Sequence, residues 1–150
     1  MSIEENKNLV RRFCDALNTA LDGRDPSRLS ARDLAVFDAI MTPDLAQNTV
    51  QGLLPSAYKT WGDHHIEVTD AIAEGDRVWA RVATGGGHTG EWEGVAPTGK
   101  RWTNTGVLFV RFADGRMAEW QGLFDDLNLL KQLGVTITPQ APAQDQAPWL

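Results

Sequence analysis

The chain of 150 residues contains an aspartate pair, Asp125-Asp126, between two apolar stretches. A carboxylate at the end of a strand can remove and return a proton, and burial against apolar walls raises the pKa of such a group towards neutral pH. An aspartate directly before a helix is also a common N-cap residue, and Asp126 would cap as readily as Asp125. The sequence therefore offers Asp125 as a candidate acid/base, with helix capping as the alternative interpretation.

A predicted hairpin must position this carboxylate. The dipeptide Asp114-Gly115 favours a type I′ turn, which needs positive φ at both central residues. If Ala113 pairs with Arg116 across the turn, strand alternation gives two faces. One face has apolar residues in its middle and polar residues at its far end, as a cavity wall with a chemical end would. It carries Glu119, Gln121, Leu123 and Asp125 from one strand, and Val110, Leu108, Gly106 and Asn104 from the other.

Uncharged donors near this end could stabilise negative charge that develops on a substrate. Asn104, Gln121 and His88 are the candidates, because each can present an N–H group without a full charge. For His88, which follows three glycines, a partly exposed strand end is an equal alternative. His64 and His65 are adjacent and should point to opposite faces of a strand, which leaves open whether either one lines the site.

The six tryptophans are many for a chain of this length. Large aromatic side chains contribute heavily to any small core, so packing is the expected role for most of them. Trp102 shares the predicted face of Asn104, and Trp61 lies near the expected pocket mouth. Trp102 and Trp61 are therefore the candidates for contact with a flat ligand.

Metal and phosphate sites are not expected. Three histidines and the single Cys14 show neither His-x-x-x-His nor Cys-x-x-Cys spacing. The stretch Gly85-Gly86-Gly87 lacks the Lys-Ser or Lys-Thr of a phosphate loop, and a bulge or bend that curves a sheet is the better interpretation. The residue pattern therefore predicts neither a transition-metal site nor a phosphate loop.

The periodicity changes along the chain from helical to extended. Apolar residues at spacings of three and four predict a helix over 9–21, and Ser30 resembles the N-cap of a second helix that ends at Pro43. Alternating residues then predict a hairpin over 66–82, strands over 88–94, 100–112 and 117–124, and a short helix over 126–133 that stops at Gly134. Helices followed by antiparallel strands indicate an α+β fold.

Composition limits the partners. The net charge of −6 and the lack of a Lys/Arg run make nucleic acid and membrane surfaces poor partners, and a cytoplasmic location is expected. The length suits one domain over 1–138. Residues 139–150, with three of the seven prolines, are predicted to form a flexible tail.

Five motifs occur in an order that resembles the SnoaL-like polyketide cyclases. They are Glu74-Gly75-Asp76-Arg77-Val78, His88-Thr89-Gly90-Glu91, the run 94–100, the run 111–116, and Asp125-Asp126-Leu127 followed by Gln132-Leu133-Gly134. The likeness is close over 63–135 and extends to the first helix. Two segments depart from the family pattern, namely the stretch between Leu21 and Leu34 and the segment 51–63. This region lines the pocket mouth in relatives, so the resemblance does not extend to the size of the substrate.

The resemblance implies a cone-shaped α+β barrel, in which a curved antiparallel sheet and N-terminal helices enclose a pocket, as in ketosteroid isomerase and scytalone dehydratase. It also implies cofactor-free aldol ring closure of an aromatic polyketide, with Asp125 at the position of the family's acid/base, and a homodimer formed through the outer face of the sheet. Because a fold does not fix a reaction, two alternatives remain open. They are a hydroxylase that uses molecular oxygen, with a partner reductase, and a non-catalytic small-molecule binder.

Overall fold

The computed structural model describes residues 2–140, so the predicted tail over 139–150 lies largely outside the described residues. The helices are α1 (Ile3–Ala20), α2 (Ala31–Ile40), α3 (Pro43–Asn48), α4 (Leu54–Thr60) and α5 (Asp126–Gln132). The strands are β1 (Trp61–Glu74), β2 (Arg77–His88), β3 (Arg101–Ala113) and β4 (Arg116–Phe124). The expected α+β order of helices followed by strands is confirmed.

The four strands form one antiparallel sheet in the order β1-β2-β3-β4. Each strand therefore pairs with its sequence neighbour, and short turns suffice to connect β1 to β2 and β3 to β4. Asp114 and Gly115 have φ values of 51° and 75°, which confirms the predicted turn with positive φ at both central residues. The sheet is strongly curved and does not close on itself.

Helix α1 packs on the concave face of this sheet. Its start is fixed by a capping box, in which the Ser2 hydroxyl accepts a hydrogen bond from the Glu5 N–H at 3.1 Å and the Ser2 N–H donates to the Glu5 carboxylate. Its apolar stripe, which includes Val10, Phe13, Cys14 and Leu17, is buried. Burial raises the pKa of the Cys14 thiol to about 12, so Cys14 is a structural residue and not a nucleophile.

One local prediction is wrong, and another is incomplete. The segment after His88 does not continue as a strand, because residues 89–100 form a loop with one isolated pairing between Trp92 and Val95. Gly94 and Gly99 in this loop have φ values of 78° and 70°, which are incompatible with a regular strand. Pro43 begins α3 instead of only ending α2, since a first helical turn needs no N–H group from that residue.

The predicted register of the β3–β4 hairpin fails after the second residue pair from its turn. Phe112 pairs with Met117 as expected, but Arg111 pairs with Glu119, which leaves Ala118 as an extra residue in β4. One extra residue exchanges the two faces of the rest of the strand. Trp120, Gly122 and Phe124 therefore face the inside of the sheet, and Gln121 and Leu123 face the outside.

The bulge has a packing cause. Met117 is fully buried and Trp120 packs on Phe13 of α1 at 5.5 Å between ring centroids. Two residues three positions apart cannot share one face of a regular strand, so burying both requires the extra residue. A contact on the outer face of the sheet supports the shifted register, because the Arg111 guanidinium donates to the carboxylate of its cross-strand partner Glu119 at 2.8 Å.

Across residues 2–140, none of the helices combines the length and the apolar composition that crossing a bilayer requires.

Candidate active site

A cavity of about 210 Å³ lies between α1, the concave face of the sheet and α5. Most of its wall is apolar. The apolar and aromatic lining residues are Phe13, Leu17, Leu21, Leu53, Ala57, Trp61, Ile66, Trp92, Trp102, Leu108, Trp120, Phe124 and Leu129. The polar lining residues are His64, Thr84, Asn104 and Asp126, which we call the polar row.

The members of the polar row lie on three neighbouring strands and at the start of α5. Thr84 of β2 pairs with Asn104 of β3 in the sheet register. The Thr84 hydroxyl lies 3.3 Å from His64 Nε2, and the Asn104 amide donates to the backbone carbonyl of Asp125 at 3.1 Å. The polar groups therefore lie side by side at one end of an apolar cavity, next to the start of α5.

The hydrogen bonds of Thr84 define the protonation of His64. The Thr84 hydroxyl donates its one proton to the carbonyl of His65 at 2.8 Å, so towards His64 it can act only as an acceptor. His64 Nε2 must then carry the proton, and Nδ1 is the unprotonated nitrogen. Burial lowers the pKa of His64 to about 4, which keeps the imidazole neutral at pH 7.

A bulge in β1 turns His64 into the cavity. Gly62 pairs with Gly87 and His65 with Gly85, so Asp63 and His64 together lie opposite Gly86. Asp63 takes a positive φ of 50°. This extra residue allows Trp61 and His64, three positions apart, to face the same side, while His65 is exposed on the other.

Gly86 is required at this point for a steric reason. A Cβ atom added there would lie 2.9 Å from the carbonyl oxygen of Gly62 and 3.6 Å from the Trp102 ring. The bulge predicted at the three glycines lies in the partner strand β1, opposite Gly86.

Aromatic rings form the wall beside the polar row. Trp61 lies 4.8 Å from Trp102 and 5.5 Å from Trp92 between ring centroids. Trp102 is only 5% exposed. Trp61 and Trp102, chosen from the sequence, both line the cavity, and Trp92 and Trp120 join them; their contact with a ligand stays a prediction.

Asp125 occupies the N-cap position of α5. Its carboxylate accepts a hydrogen bond from the Asn128 N–H at 3.1 Å, and the residue is exposed. The neighbouring Asp126 is also exposed, but it borders the cavity, whereas Asp125 is not among the lining residues. The capping interpretation describes this geometry, and the acid/base role of Asp125 stays a prediction.

The other predicted site residues divide into two groups. Asn104 and Leu108 line the cavity, as their strand parity indicated. Gln121 and Leu123 lie on the outer face, with Leu123 65% exposed, because the β4 bulge exchanged the faces. Their placement in the cavity wall is therefore wrong, and Trp120 and Phe124 take their place.

His88 is fully buried and does not line the cavity. Its Nδ1 accepts a hydrogen bond from the Thr98 N–H at 3.2 Å and lies 3.1 Å from the Thr98 hydroxyl. Both contacts hold the 89–100 loop against the end of β2. The prediction that His88 enters the cavity is wrong, because the chain folds back over this residue instead of continuing as a strand.

Sequence reasoning missed His64, Thr84 and Asp126 as members of one polar row. Thr84 pairs directly with Asn104, so extending the pairing to β2 would have found it. The orientation of His64 depends on the β1 bulge, for which the sequence gives only the weak signal of glycines on both strands. Among residues 2–140, no group of three or more His, Cys, Asp or Glu side chains is arranged to hold a metal ion.

Residues 26–133 match the family model described as SnoaL-like polyketide cyclase. The chain belongs to this family. Aklanonic acid methyl ester cyclase DnrD from Streptomyces peucetius is 26% identical over 138 residues, which cover 85% of this chain and 89% of DnrD. As a member of the SnoaL-like family, the chain thus aligns with a cyclase over nearly its whole length.

Solved structures give the same assignment of fold. TsrD from Streptomyces laurentii superposes with a TM-score of 0.72 at 20% identity, covering 91% of this chain and 99% of TsrD. AclR from Streptomyces galilaeus, a candidate hydroxylase, superposes with a TM-score of 0.63 at 28% identity, covering 89% of this chain and 98% of AclR. The expected SnoaL-like α+β fold is confirmed.

Proposed function

We propose that this protein is a polyketide cyclase that closes a ring of an aromatic polyketide by an intramolecular aldol reaction, without a metal or organic cofactor. The observation that carries the proposal is the cavity itself, in which four tryptophans form much of an apolar wall and the polar groups are confined to one row. Such a site suits a flat aromatic ligand whose reacting edge points at the polar row.

The reaction needs one group that first removes and then returns a proton. A base takes the acidic C–H proton between two electron-withdrawing groups, the carbanion forms a C–C bond with a ketone carbon, and the alkoxide takes the proton back. Nothing leaves, so the product is an isomer of the substrate. A single carboxyl group can perform both transfers.

We assign this acid/base to the aspartate pair at the start of α5. The family resemblance favours Asp125, whereas the geometry favours Asp126, which borders the cavity. Asn104 holds this end of the site by donating to the Asp125 carbonyl and accepting from the Asn128 side chain at 3.3 Å. Removing Asn104 would therefore displace both aspartates.

The role can be assigned by comparing Asp125→Asn and Asp126→Asn with wild type. Each purified protein receives aklanonic acid methyl ester, the substrate named for its relative DnrD, and products are followed by mass spectrometry. Loss of at least a hundredfold in kcat in one variant identifies the acid/base, in line with typical effects of general acid–base groups of about 10²–10⁴. Full activity in both variants would refute acid/base catalysis from this end of the sheet.

A hydroxylase is the second candidate, because the chain is 28% identical to AclR. A substrate that supplies its own electrons would need no cofactor-binding motif in the protein. Running the same assay under nitrogen separates the two functions. A cyclase forms the isomeric product in either gas, whereas a hydroxylase adds an oxygen atom only in air.

The homodimer expected from the resemblance is also part of this proposal. Trp79 is 52% exposed on the outer face of the sheet and packs edge-on against Phe109 at 4.9 Å. Trp120 lies on the inner face of the sheet and lines the cavity, so it is not part of this surface. Sedimentation of wild type and Trp79→Glu checks the proposal, which requires a dimer that the charge disrupts.

A further inference from the structure

His64 places an unused hydrogen-bond acceptor in the cavity wall. Its Nδ1 atom is buried and has no hydrogen-bond partner among residues 2–140. Because Thr84 holds the proton on Nε2, the lone pair of Nδ1 is directed away from Thr84. A buried acceptor of this kind is destabilising unless something donates to it.

Trp102 contributes the complementary group. Its indole Nε1–H is likewise buried and has no partner within the described part of the chain. An indole N–H can only donate. The Trp102 ring lies 6.4 Å from the His64 ring between centroids, and both side chains line the same cavity.

An unsatisfied acceptor and an unsatisfied donor thus belong to two neighbouring side chains that line the same cavity. Gly86 lies against both residues and allows the close approach of β1, because a Cβ atom there would lie 2.9 Å from the Gly62 carbonyl oxygen, in the bulge that turns His64 inward. Apolar packing alone would be served by a phenylalanine at either position. The pair therefore has the properties of a recognition element for a ligand that carries both a hydroxyl and a carbonyl group.

We propose that His64 and Trp102 select a hydroxylated aromatic ketone or quinone, with the ligand hydroxyl donating to His64 Nδ1 and a ligand carbonyl accepting from Trp102 Nε1. This inference rests on the proposed function in that the same cavity holds the aromatic substrate. His64 and Trp102 are specificity residues in this account, and the proton transfers remain with the aspartates of α5. The neutral state of His64 at pH 7, caused by its burial, keeps the acceptor available.

Binding of simple probes tests the inference without any turnover. Hydroxyanthraquinone (the 1- and 2-isomers) and the matching methoxyanthraquinones differ in whether the substituent can donate a hydrogen bond and by the bulk of one methyl group; a preference caused by bulk alone would not depend on His64. Dissociation constants follow from quenching of the tryptophan fluorescence. For at least one isomer, we expect wild type to bind the hydroxyl compound five- to tenfold more tightly than its methyl ether.

Two variants and one control localise the effect. His64→Phe should bind a hydroxyl compound and its ether equally. Trp102→Phe should weaken both by a similar factor and preserve their ratio, because the carbonyl contact is common to them. His65→Phe replaces the exposed neighbouring histidine and should match wild type.

Two results would overturn the inference. One is that wild type binds each hydroxyanthraquinone isomer and its methyl ether equally; the other is that the preference for the hydroxyl compound survives in His64→Phe. Circular dichroism of each variant verifies that it is folded. If His64→Phe does not fold, His64→Gln and Thr84→Val replace it, and the preference should fall in both. A protein that shows the preference but closes no ring would disprove the cyclase and leave the recognition element standing.

Discussion

The buried imidazole of His64 makes the stability of the fold depend on pH. The pKa of His64 is lowered from 6.5 to about 4 by burial, so folding disfavours its protonated form. The unfolded chain binds this proton as the pH falls below 6.5, and the folded chain does so only near pH 4. The contribution is therefore fully present above pH 6.5 and is lost as the pH falls towards 4.

The magnitude follows from the difference between the two pKa values. At about 1.4 kcal/mol for each pH unit, the full difference corresponds to a loss of about 3 kcal/mol between pH 6.5 and pH 4. This is a large part of the stability of an ordinary domain, which is about 5–15 kcal/mol. His64→Phe removes the group, and its stability should depend less steeply on pH over this range.

Urea unfolding of wild type and His64→Phe at pH 7.0, 6.0, 5.0 and 4.5 measures the effect. A constant offset between the two proteins reflects packing, so only the change of the difference with pH is informative. His65 and Asp126 lie near this position and both remain in the variant, and His65→Phe is the matched control. Parallel curves for wild type and His64→Phe would refute the assigned burial of His64.

Three further predictions concern the elements that build the site. Gly86→Ala should destabilise the protein by about 1–3 kcal/mol in urea unfolding, because its Cβ would lie 2.9 Å from the Gly62 carbonyl oxygen. The control Gly52→Ala, with nothing within 4 Å of its Cβ, should not destabilise it. Equal free energies of unfolding for the two variants would contradict the close approach at Gly86. Asp125→Ala should lower the free energy of unfolding by about 1 kcal/mol because it removes the N-cap hydrogen bond of α5, whereas Asp125→Asn should keep most of that stability. Identical losses of stability in the two variants would argue against capping. The Cys14 thiol should react with a disulfide reagent only after the chain is unfolded, and rapid reaction of the native protein would contradict its burial.

The outline of the fold was accessible from local patterns. The helical spacing of apolar residues located α1, and the Asp114-Gly115 turn located the β3–β4 hairpin together with its first two pairs. These features depend on interactions between residues close in sequence. Local physics is therefore sufficient to recover them.

The faces of the strands were less accessible, because they depend on packing across the molecule. Met117 and Trp120 can both be buried only if β4 contains an extra residue, and that requirement comes from α1 and α2, not from the hairpin. Trp61 and His64 likewise share one face of β1 only because that strand contains an extra residue. Strand alternation predicts the faces correctly only between the turn and the first bulge. Leu108 and Asn104 lie on β3, which has no extra residue, and were placed correctly. Gln121 and Leu123 lie beyond the β4 bulge and were placed on the wrong face.

The most direct test of the cyclase account is an anaerobic assay of the wild-type protein with aklanonic acid methyl ester and no added cofactor. The account requires a ring-closed product of unchanged mass, formed at the same rate under nitrogen as in air. A product that appears only in air and carries an additional oxygen atom would contradict it.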